Sequence, residues 1–532
     1  MEKQKILSQT WQEFERDAIG KKIILFGAGK YANRYFNRYG EHTVLDGVID
    51  NSIKKQGCNI QQFMNHAFVP PNANVKISGI SILEKYDSES VLVLVSSKDH
   101  YETIIQQVEE FGISCCYVMA CMEVNEEGST EEKHIPITDE QRKQFANMCC
   151  TQYEINENKI FFNSYGKYTD HGKYITEALL RIRDDLDIVW VLSNLEVEVP
   201  SGIRKVYSGN WKQYIYEMET SKVWVLNLEL PFYIEKRQGQ VYFQTKHWAS
   251  ITLKRFYLDT VAFSGNPERI INWKRDGQLM DYVITGSEFD AASCRRGFGF
   301  QGRMLQFGSP RSDGLFLGIG VKNKVYHYYG IEESVHTLLY APTYRFDKVK
   351  GHNFHVSKLI EMDFKLVKRA LERRFGGEWQ IMLRLHPSVA AMSKNMEYPD
   401  FVVDASEYED SEELVAAADV TISDFSSIMF EPAFIKRPVF LFVTDKDDYL
   451  DQEYDLLIDY DTLPFPIAES NEELVHKIEM FDEKQYRRNV TEFLEKYGVN
   501  EDGHASERAA AYISQMIDNN TKIVKGANKE NS

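Results

Sequence analysis

Several things are scarce in this chain of 532 residues. Its seven cysteines (Cys58, Cys115, Cys116, Cys121, Cys149, Cys150 and Cys294) are an odd and partly adjacent set. That is a poor disulfide framework, and with no CxxC pair it gives no zinc signature either, so reduced thiols are expected. Long hydrophobic runs are missing. The longest apolar stretches, such as Val91–Val95, have strand length, far short of the roughly 18 residues of a membrane-spanning helix. The opening MEKQKILSQTWQEFERD has no apolar core of signal-peptide length, and a cytoplasmic location is expected. Positive charge is in deficit: 62 Lys and Arg face 80 Asp and Glu, a formal net charge of −18. A general nucleic-acid binder needs a broad basic surface, so that class is excluded as an expectation. No fixed-period repeat and no low-complexity tract is visible.

What is present is ordinary globular material. Hydrophobic residues make up 43%, aromatics 13% and charged residues 27%, which argues against disorder. The length predicts about three or four domains. Residues 1–122 alternate strands and helices: Lys22–Phe26 (KIILF), a helix from Lys30 to Tyr39, strands at Val44–Ile49 and Ser90–Val95, and a helix at Asp99–Phe111. Such alternation implies a parallel sheet. The acidic stretch EVNEEGSTEEK reads as the start of a linker, placed at 123–158. Strands are expected at Lys159–Asn163, Ile188–Leu192, Val223–Leu226, Val241–Gln244 and Tyr282–Thr285 in a block at 159–330. In a block at 331–517 they are expected at Thr337–Ala341, Trp379–Leu385, Val420–Ser423 and Pro438–Val443. Residues 518–532 read as a flexible tail.

The first block carries a nucleotide-style turn. After KIILF comes G-A-G-K-Y-A, then the helix. Gly27 and Gly29 permit a tight turn and close approach of a ligand to backbone, and free amides at the helix start could hold a phosphate. Asp50 ends the next strand about 20 residues on, where a ribose-binding carboxylate would sit. The same features serve equally as a turn kept for packing. The segment FGAGKYANRYFNRY…VIDN resembles the Rossmann-like domains attached to bacterial surface-polysaccharide enzymes, which implies a nucleotide-linked ligand or an assembly role.

Four polar-ended segments follow apolar strands in the other blocks, the position where parallel sheets bind ligands. YFQTKHWASITLK (242–254) delivers His247, able to accept a proton near neutral pH, and then Lys254. GSPRSD (308–313) is a turn by composition, whose Arg311 could meet a phosphate through its planar fork. YAPTYR (340–345) and LRLHP (383–387) end in Arg345, Arg384 and His386, which could share one cleft; Arg384 reads equally as a salt-bridged support. DVTISDFSSIMFE (419–431) reaches Asp424 and starts a helix at Ser426 and Ser427, an anion site or a plain N-cap.

As an ordered set, FNSYGKYTDHGKYI (162–175), QTKH…LK (244–254), GSPRSD, YAPTYR, LRLHP and SDFSSIMFEPAFIKRP (423–438) resemble the CDP-glycerol glycerophosphotransferases. These are of the teichoic-acid polymerase and primase type, with relatives in capsule synthesis. DASEYEDSEELVAAAD (404–419), DYDTLPFPI (459–467) and DGHASERAA (502–510) add to the likeness, which spans about residues 160–515. The resemblance implies an α/β chain: a GT-B fold of two Rossmann-like lobes (159–330 on the acceptor side, 331–517 on the donor side), preceded by a separate Rossmann-like domain. It implies transfer of a polyol phosphate from a CDP-polyol, CDP-glycerol or CDP-ribitol, to a hydroxyl of a polymer or lipid-linked glycan, with release of CMP.

The family's paired essential histidines correspond to His247 and His386, and its phosphate-binding motif to Asp424, Phe425, Ser426 and Ser427. Lys254, Arg311, Asp313, Arg345 and Arg384 are expected to bind substrate. In-line attack on the distal phosphorus needs a base, cations or dipoles for the phosphate oxygens, and a held leaving group. His247 is expected as the base. Helix dipoles and side-chain cations suffice for the charge, so no obligatory metal or cofactor is expected. The sequence departs from the family at Trp248, where Gly is usual, in the longer spacing to Lys254, and at Glu431, often Asp. Trp248 raises the prospect of a changed acceptor, a changed polyol or lost activity. A GT-B glycosyltransferase using a nucleotide sugar and a non-catalytic assembly protein are the rival readings. Peripheral contact with the inner membrane face and self-association are both left open.

Overall fold

Each parallel sheet of this chain is built around strands that are buried from end to end. VLVLV at Val91–Val95 is wholly buried, as are VFLF at Val439–Phe442 and SKVWVL at Ser221–Leu226. Strands with two buried faces need helices on both sides, and a parallel sheet provides that. The computed structural model describes residues 6–530 except 30, 74, 99, 127–136, 261–266, 317–318, 344–345, 348–351, 354–359, 387–395, 448 and 450–455.

Three parallel sheets follow one another. The first holds β1 (Lys22–Phe26), β2 (Gly47–Ile49), β3 (Ile77–Ser78), β4 (Val91–Val95) and β5 (Cys116–Val118) in the order β3-β2-β1-β4-β5. The second holds β6 (Asn156–Asn163), β7 (Asp187–Leu192), β8 (Ile203–Tyr207), β9 (Ser221–Leu226), β10 (Val241–Gln244), β11 (Tyr282–Thr285) and β12 (Arg303–Gln306), ordered β12-β11-β10-β9-β6-β7-β8. After β13 (His336–Ala341) comes a short antiparallel hairpin of β14 (Phe346–Asp347) and β15 (His352–Asn353). The third sheet combines β13 with β16 (Trp379–Leu383), β17 (Val402–Asp404), β18 (Val420–Ser423), β19 (Val439–Phe442) and β20 (Ile467–Ala468), ordered β17-β16-β13-β18-β19-β20. The architecture is the expected one: a GT-B pair of Rossmann-like lobes behind an additional Rossmann-like domain.

The lobes exchange elements. Ala249, Ile251 and Leu253 follow β10 of the first lobe but are buried in the core of the second. The helix Ala505–Glu530 returns the other way, burying Ala509, Ala510, Ile513 and Ile517 against the first lobe. Those positions form one stripe at helical spacing. This helix runs through residues 518–530, where a frayed tail was expected.

The expected linker 123–158 is likewise structured in its second half. Helix Asp139–Gln152 starts with a capping box between Thr138 and Gln141. It buries Phe145, Ala146 and Cys149 in the first lobe. Its apolar residues are clustered between Phe145 and Cys150 rather than spread at helical spacing, which makes it inconspicuous in sequence. The additional domain docks on the same surface. Phe68 packs edge-on against Phe145 and Tyr216 at 5.2 and 5.4 Å between ring centroids, and Asn210 Nδ2 donates to the Ala67 carbonyl at 2.6 Å. Among the described residues no helix is long and apolar enough to cross a membrane.

Candidate active site

The carboxyl ends of the strands in the two lobes face each other across a cavity of about 900 Å³. Each of its polar walls is a loop that leaves a strand tip. The loop after β6 runs through Tyr165, Gly166 and Asp170, all with positive φ (52°, 72° and 62°). Gly166 N–H donates to Asn163 Oδ1 at 3.1 Å, and the Gly166 carbonyl accepts from Ser193 N–H at 2.7 Å. These bonds hold the sharp turn that sends Tyr165 and Lys167 into the cavity.

After β10 the chain turns at Lys246, also left-handed at φ 57°. A side chain disfavours that conformation at a cost of about 1–3 kcal/mol. The turn is held because buried Lys246 Nζ donates to the carbonyls of Trp248 (2.9 Å) and Ala249 (3.0 Å) and pairs with Asp290 at 3.2 Å. The result is that His247 projects into the cavity, its ring edge-on to Tyr165 at 6.0 Å. Its imidazole lies beside the Asn227 carbonyl, which favours the protonated ring. The surrounding protein lowers its pKa below the ordinary value. Burial is the main cause, with Arg311 and Lys246 adding to it, while Asp170 and the Asn227 carbonyl pull the other way.

His386 lies opposite, at the tip of β16, and also lines the cavity. Its pKa is lowered too, first by burial and then by Arg384, Lys254 and Lys167. Every named charge around it is positive. Lys254 donates to the Tyr449 hydroxyl and lies over its ring. Lys167 has no ion-pair partner among the described residues. Ser426 and Ser427 line the same wall. Ser426 caps the short helical segment that follows, and Ser427 Oγ accepts from Leu253 N–H at 3.2 Å across the lobe junction.

Several residues expected to bind substrate are committed elsewhere. Arg311 lines the cavity, but its guanidinium is spent on three carboxylates: Asp170 at 3.0 Å, Glu431 at 3.0 Å, and Glu412. It also donates to the His247 carbonyl at 3.1 Å. One cation thus joins the base's loop to two acids of the other lobe. Burial pushes Glu431 up toward the neutral form, which eases the excess of acids around Arg311. Asp313 lies outside the cavity. Its two oxygens accept the amides of Ala505 and Ser506 at 3.0 and 2.7 Å, capping the returning C-terminal helix. Arg384 lines the cavity and also donates to the carbonyls of Ala405 and Tyr408 at 3.0 and 2.8 Å, bracing the neighbouring loop. Asp424 is buried and accepts from Thr343 N–H at 2.8 Å and from the Thr343 hydroxyl, shaping the β13 loop rather than facing the cleft. Arg345 falls outside the described residues.

Trp248 lines the cavity, but its ring is largely buried and held from behind. The indole is 6% exposed, donates from Nε1 to Asp290 at 3.0 Å, and packs against Phe256 at 4.4 Å. Its carbonyl accepts from His171 Nε2 at 2.9 Å. His171 Nδ1 accepts from Arg311 N–H at 3.4 Å, so this buried ring is a neutral spacer protonated on Nε2. The charge along the cavity is therefore lopsided: the groups acting on His386 are all cations, whereas His247 has Asp170 as well as Arg311 and Lys246 around it.

In the additional domain, Gly27 sits at φ 109° and a Cβ there would come within 2.6 Å of Ser96 Oγ, so glycine is needed for packing. Asp50, expected at a ribose, instead accepts from Ala28 N–H at 2.8 Å, Ser52 N–H at 2.8 Å and Lys55 Nζ at 3.0 Å, pinning the turn. A Cβ at Gly29 would meet open space. The observed bonds suit the packing role of this turn.

Residues not singled out from sequence include Lys167, Asp170, Asn227 and Glu412. Asn227 had a positional signal, being the first polar residue after an apolar strand. The others lie inside the quoted motifs but do their work through contacts distant in sequence. Among the described residues no cluster of three or more His, Cys, Asp or Glu side chains is arranged to hold a metal ion.

The model of the family CDP-Glycerol:Poly(glycerophosphate) glycerophosphotransferase matches residues 145–515. The chain is 27% identical over 377 residues to a teichoic acid poly(glycerol phosphate) polymerase of Staphylococcus epidermidis, covering 68% of this chain and 51% of that protein. It is 28% identical over 387 residues to a teichoic acid glycerol-phosphate transferase of Staphylococcus aureus, covering 67% of this chain and 93% of that one. Among solved structures it is similar to a histidine-to-alanine variant of the wall teichoic acid polymerase TagF, with TM-score 0.63 and 26% identity over 72% of this chain and 95% of that one.

Proposed function

The chain belongs to the CDP-glycerol:poly(glycerophosphate) glycerophosphotransferase family, and from that premise we propose that it moves a polyol phosphate from a CDP-polyol to a hydroxyl at the end of a teichoic-acid-like polymer, releasing CMP. The observation that carries this reading is that one cavity joins His247, with Asp170 beside it, to His386, with cations around it.

The pyrophosphate of the donor is drawn to the His386 side. Lys167, Lys254 and His386 lie there, and the Ser426 and Ser427 hydroxyls are donors for phosphate oxygens. The acceptor hydroxyl lies on the His247 side. The His247 imidazole takes its proton as the acceptor oxygen bonds to the distal phosphorus. The bond from that phosphorus to the bridging oxygen breaks, and the bridging oxygen leaves with CMP. A well-placed base is worth roughly 10²–10⁴ in rate. The side-chain cations meet the developing charge, so the reading assigns no resident metal, and full activity in EDTA is the expected outcome.

CDP-glycerol is the donor to test first, since the polymerase and transferase above are named for glycerol phosphate; CDP-ribitol is the second. A polymer acceptor made at the membrane places the enzyme at the cytoplasmic membrane face through a peripheral contact, which co-sedimentation with liposomes at low salt tests. CMP release from either CDP-polyol, dependent on a glycerol phosphate acceptor, tests the reaction itself. Absence of release with both donors sinks it, and full activity of His247→Ala sinks the base assignment.

A further inference from the structure

Asn227 follows β9 directly, beside the strand that delivers His247, and makes two fixed contacts. Its backbone carbonyl lies beside the His247 imidazole and favours its protonated form. Its side-chain Nδ2 donates to Asp170 Oδ2 at 2.7 Å. The second contact sets the direction of the amide. An ionised carboxylate only accepts, so the nitrogen must face Asp170 and the oxygen must point away from it. Asn227 is 3% exposed and lines the cavity, and among the described residues its Oδ1 has no hydrogen-bond partner. Buried polar atoms are almost always paired, so an orphan acceptor beside the reacting histidine is a place where a ligand donor belongs.

The charge around it says which ligand. Asp170 lies against the Asn227 side chain, and a phosphate there would face a carboxylate. The cations that suit a phosphate are across the cleft at His386. A neutral hydroxyl is what this corner accommodates. Polyol chain ends offer one: next to the hydroxyl that attacks is a second on the adjacent carbon.

We propose that Asn227 Oδ1 binds the acceptor, accepting a hydrogen bond from the hydroxyl adjacent to the one that His247 deprotonates. This rests on the transfer reading above and adds a specificity device to it. Two hydroxyls held at two neighbouring points fix the rotation of the chain end and aim the attacking oxygen. A site built to pair a hydroxyl also discriminates against an end that lacks it.

The test uses two short acceptors, one ending in glycerol phosphate and the other in 1,3-propanediol phosphate, which keeps the attacking hydroxyl and lacks its neighbour. The wild-type enzyme is expected to show kcat/KM about tenfold higher for the first, the scale of one hydrogen bond. Asn227→Ala and Asn227→Ser are expected to lose that preference while still binding CDP-glycerol as the wild type does. A purely structural role, acting through Asp170 and His247, would lower both acceptors equally and keep the preference, which overturns the proposal. Equal use of both acceptors by the wild type overturns it with no variant needed. No transfer by the wild type to either acceptor is a different result: the transfer reading itself fails, and this inference with it.

Discussion

Removing the Arg311 guanidinium separates a structural hub from a substrate contact. Arg311 is 8% exposed and faces Asp170, Glu412 and Glu431, and two of those acids belong to the other lobe. Arg311→Met keeps the aliphatic bulk and deletes the charge. Stripping one partner from a buried ion pair costs about 3–5 kcal/mol, because it leaves the other charge uncompensated. That is a large share of the roughly 5–15 kcal/mol that holds a domain folded. The loss is pH-dependent with a definite sign. Without the cation, burial favours the protonated acids, so their folded pKa values rise above the unfolded value of about 4.3 for Glu and 3.9 for Asp. The folded variant then holds protons that the unfolded chain has released, and stability falls as pH rises. Urea unfolding is expected to show a defect near the upper end of that range at pH 8 and a smaller one at pH 5.5. Arg311→Lys is expected to fall between, keeping the charge without the fork. The reasoning is refuted if Arg311→Met unfolds like the wild type at pH 8 while its calorimetric affinity for CDP-glycerol collapses. Arg311 would then contact the donor, as first expected from its motif.

Three further outcomes are expected. The acid limb of kcat/KM should lie below pH 6.5, since the folded environment lowers the pKa of His247 and of His386, and the base must be unprotonated; an acid limb above pH 7 contradicts the base assignment. Lys167→Met should weaken CDP-glycerol binding about 10- to 100-fold, the worth of a hydrogen bond to a charged group, with little change in unfolding midpoint; unchanged affinity in calorimetry removes Lys167 from the donor site. Trp248→Gly, which restores the residue usual in the family, should destabilise by at least the roughly 3–5 kcal/mol of a buried large-to-small change and leave Asp290 without its indole donor; a variant as stable as the wild type with altered acceptor preference would put the indole in the acceptor path instead.

What was legible in the sequence has a physical pattern. Six of the strands not expected from the sequence, β3, β5, β8, β12, β17 and β20, are the edges of the three parallel sheets, and the other two form the short hairpin β14–β15. A central strand is covered on both faces and reads as an unbroken apolar run. An edge such as IRKVY of β8 is half-covered and mixed, and so looks like loop. The site divides in the same way. His247, His386, Lys254, Ser426 and Ser427 line the cavity because each follows an apolar strand by a few residues, a local relation. Arg311 and Arg384 line it too, but they, Asp313 and Asp424 are also held by partners up to 193 residues away in sequence. Spacing reveals that a polar residue has a purpose. Which partner claims it depends on how the lobes close.

The two histidines look equivalent in sequence, and their surroundings make them unequal. Both are pushed toward the neutral form by burial. The charges named around His386 all push further the same way, while His247 has Asp170 and the Asn227 carbonyl pulling back. A base that receives a proton becomes a cation, and a neighbouring carboxylate stabilises that product. A ring among Lys167, Lys254 and Arg384 would be penalised for it. Proton acceptance therefore belongs at His247, and His386 is suited to remain neutral and donate to a phosphate oxygen. The acidic total of the chain takes on a local meaning here. Asp170, Glu412 and Glu431 are not solvated surface charge but the counter-charge under the base, with Arg311 holding all three in register with the opposite lobe.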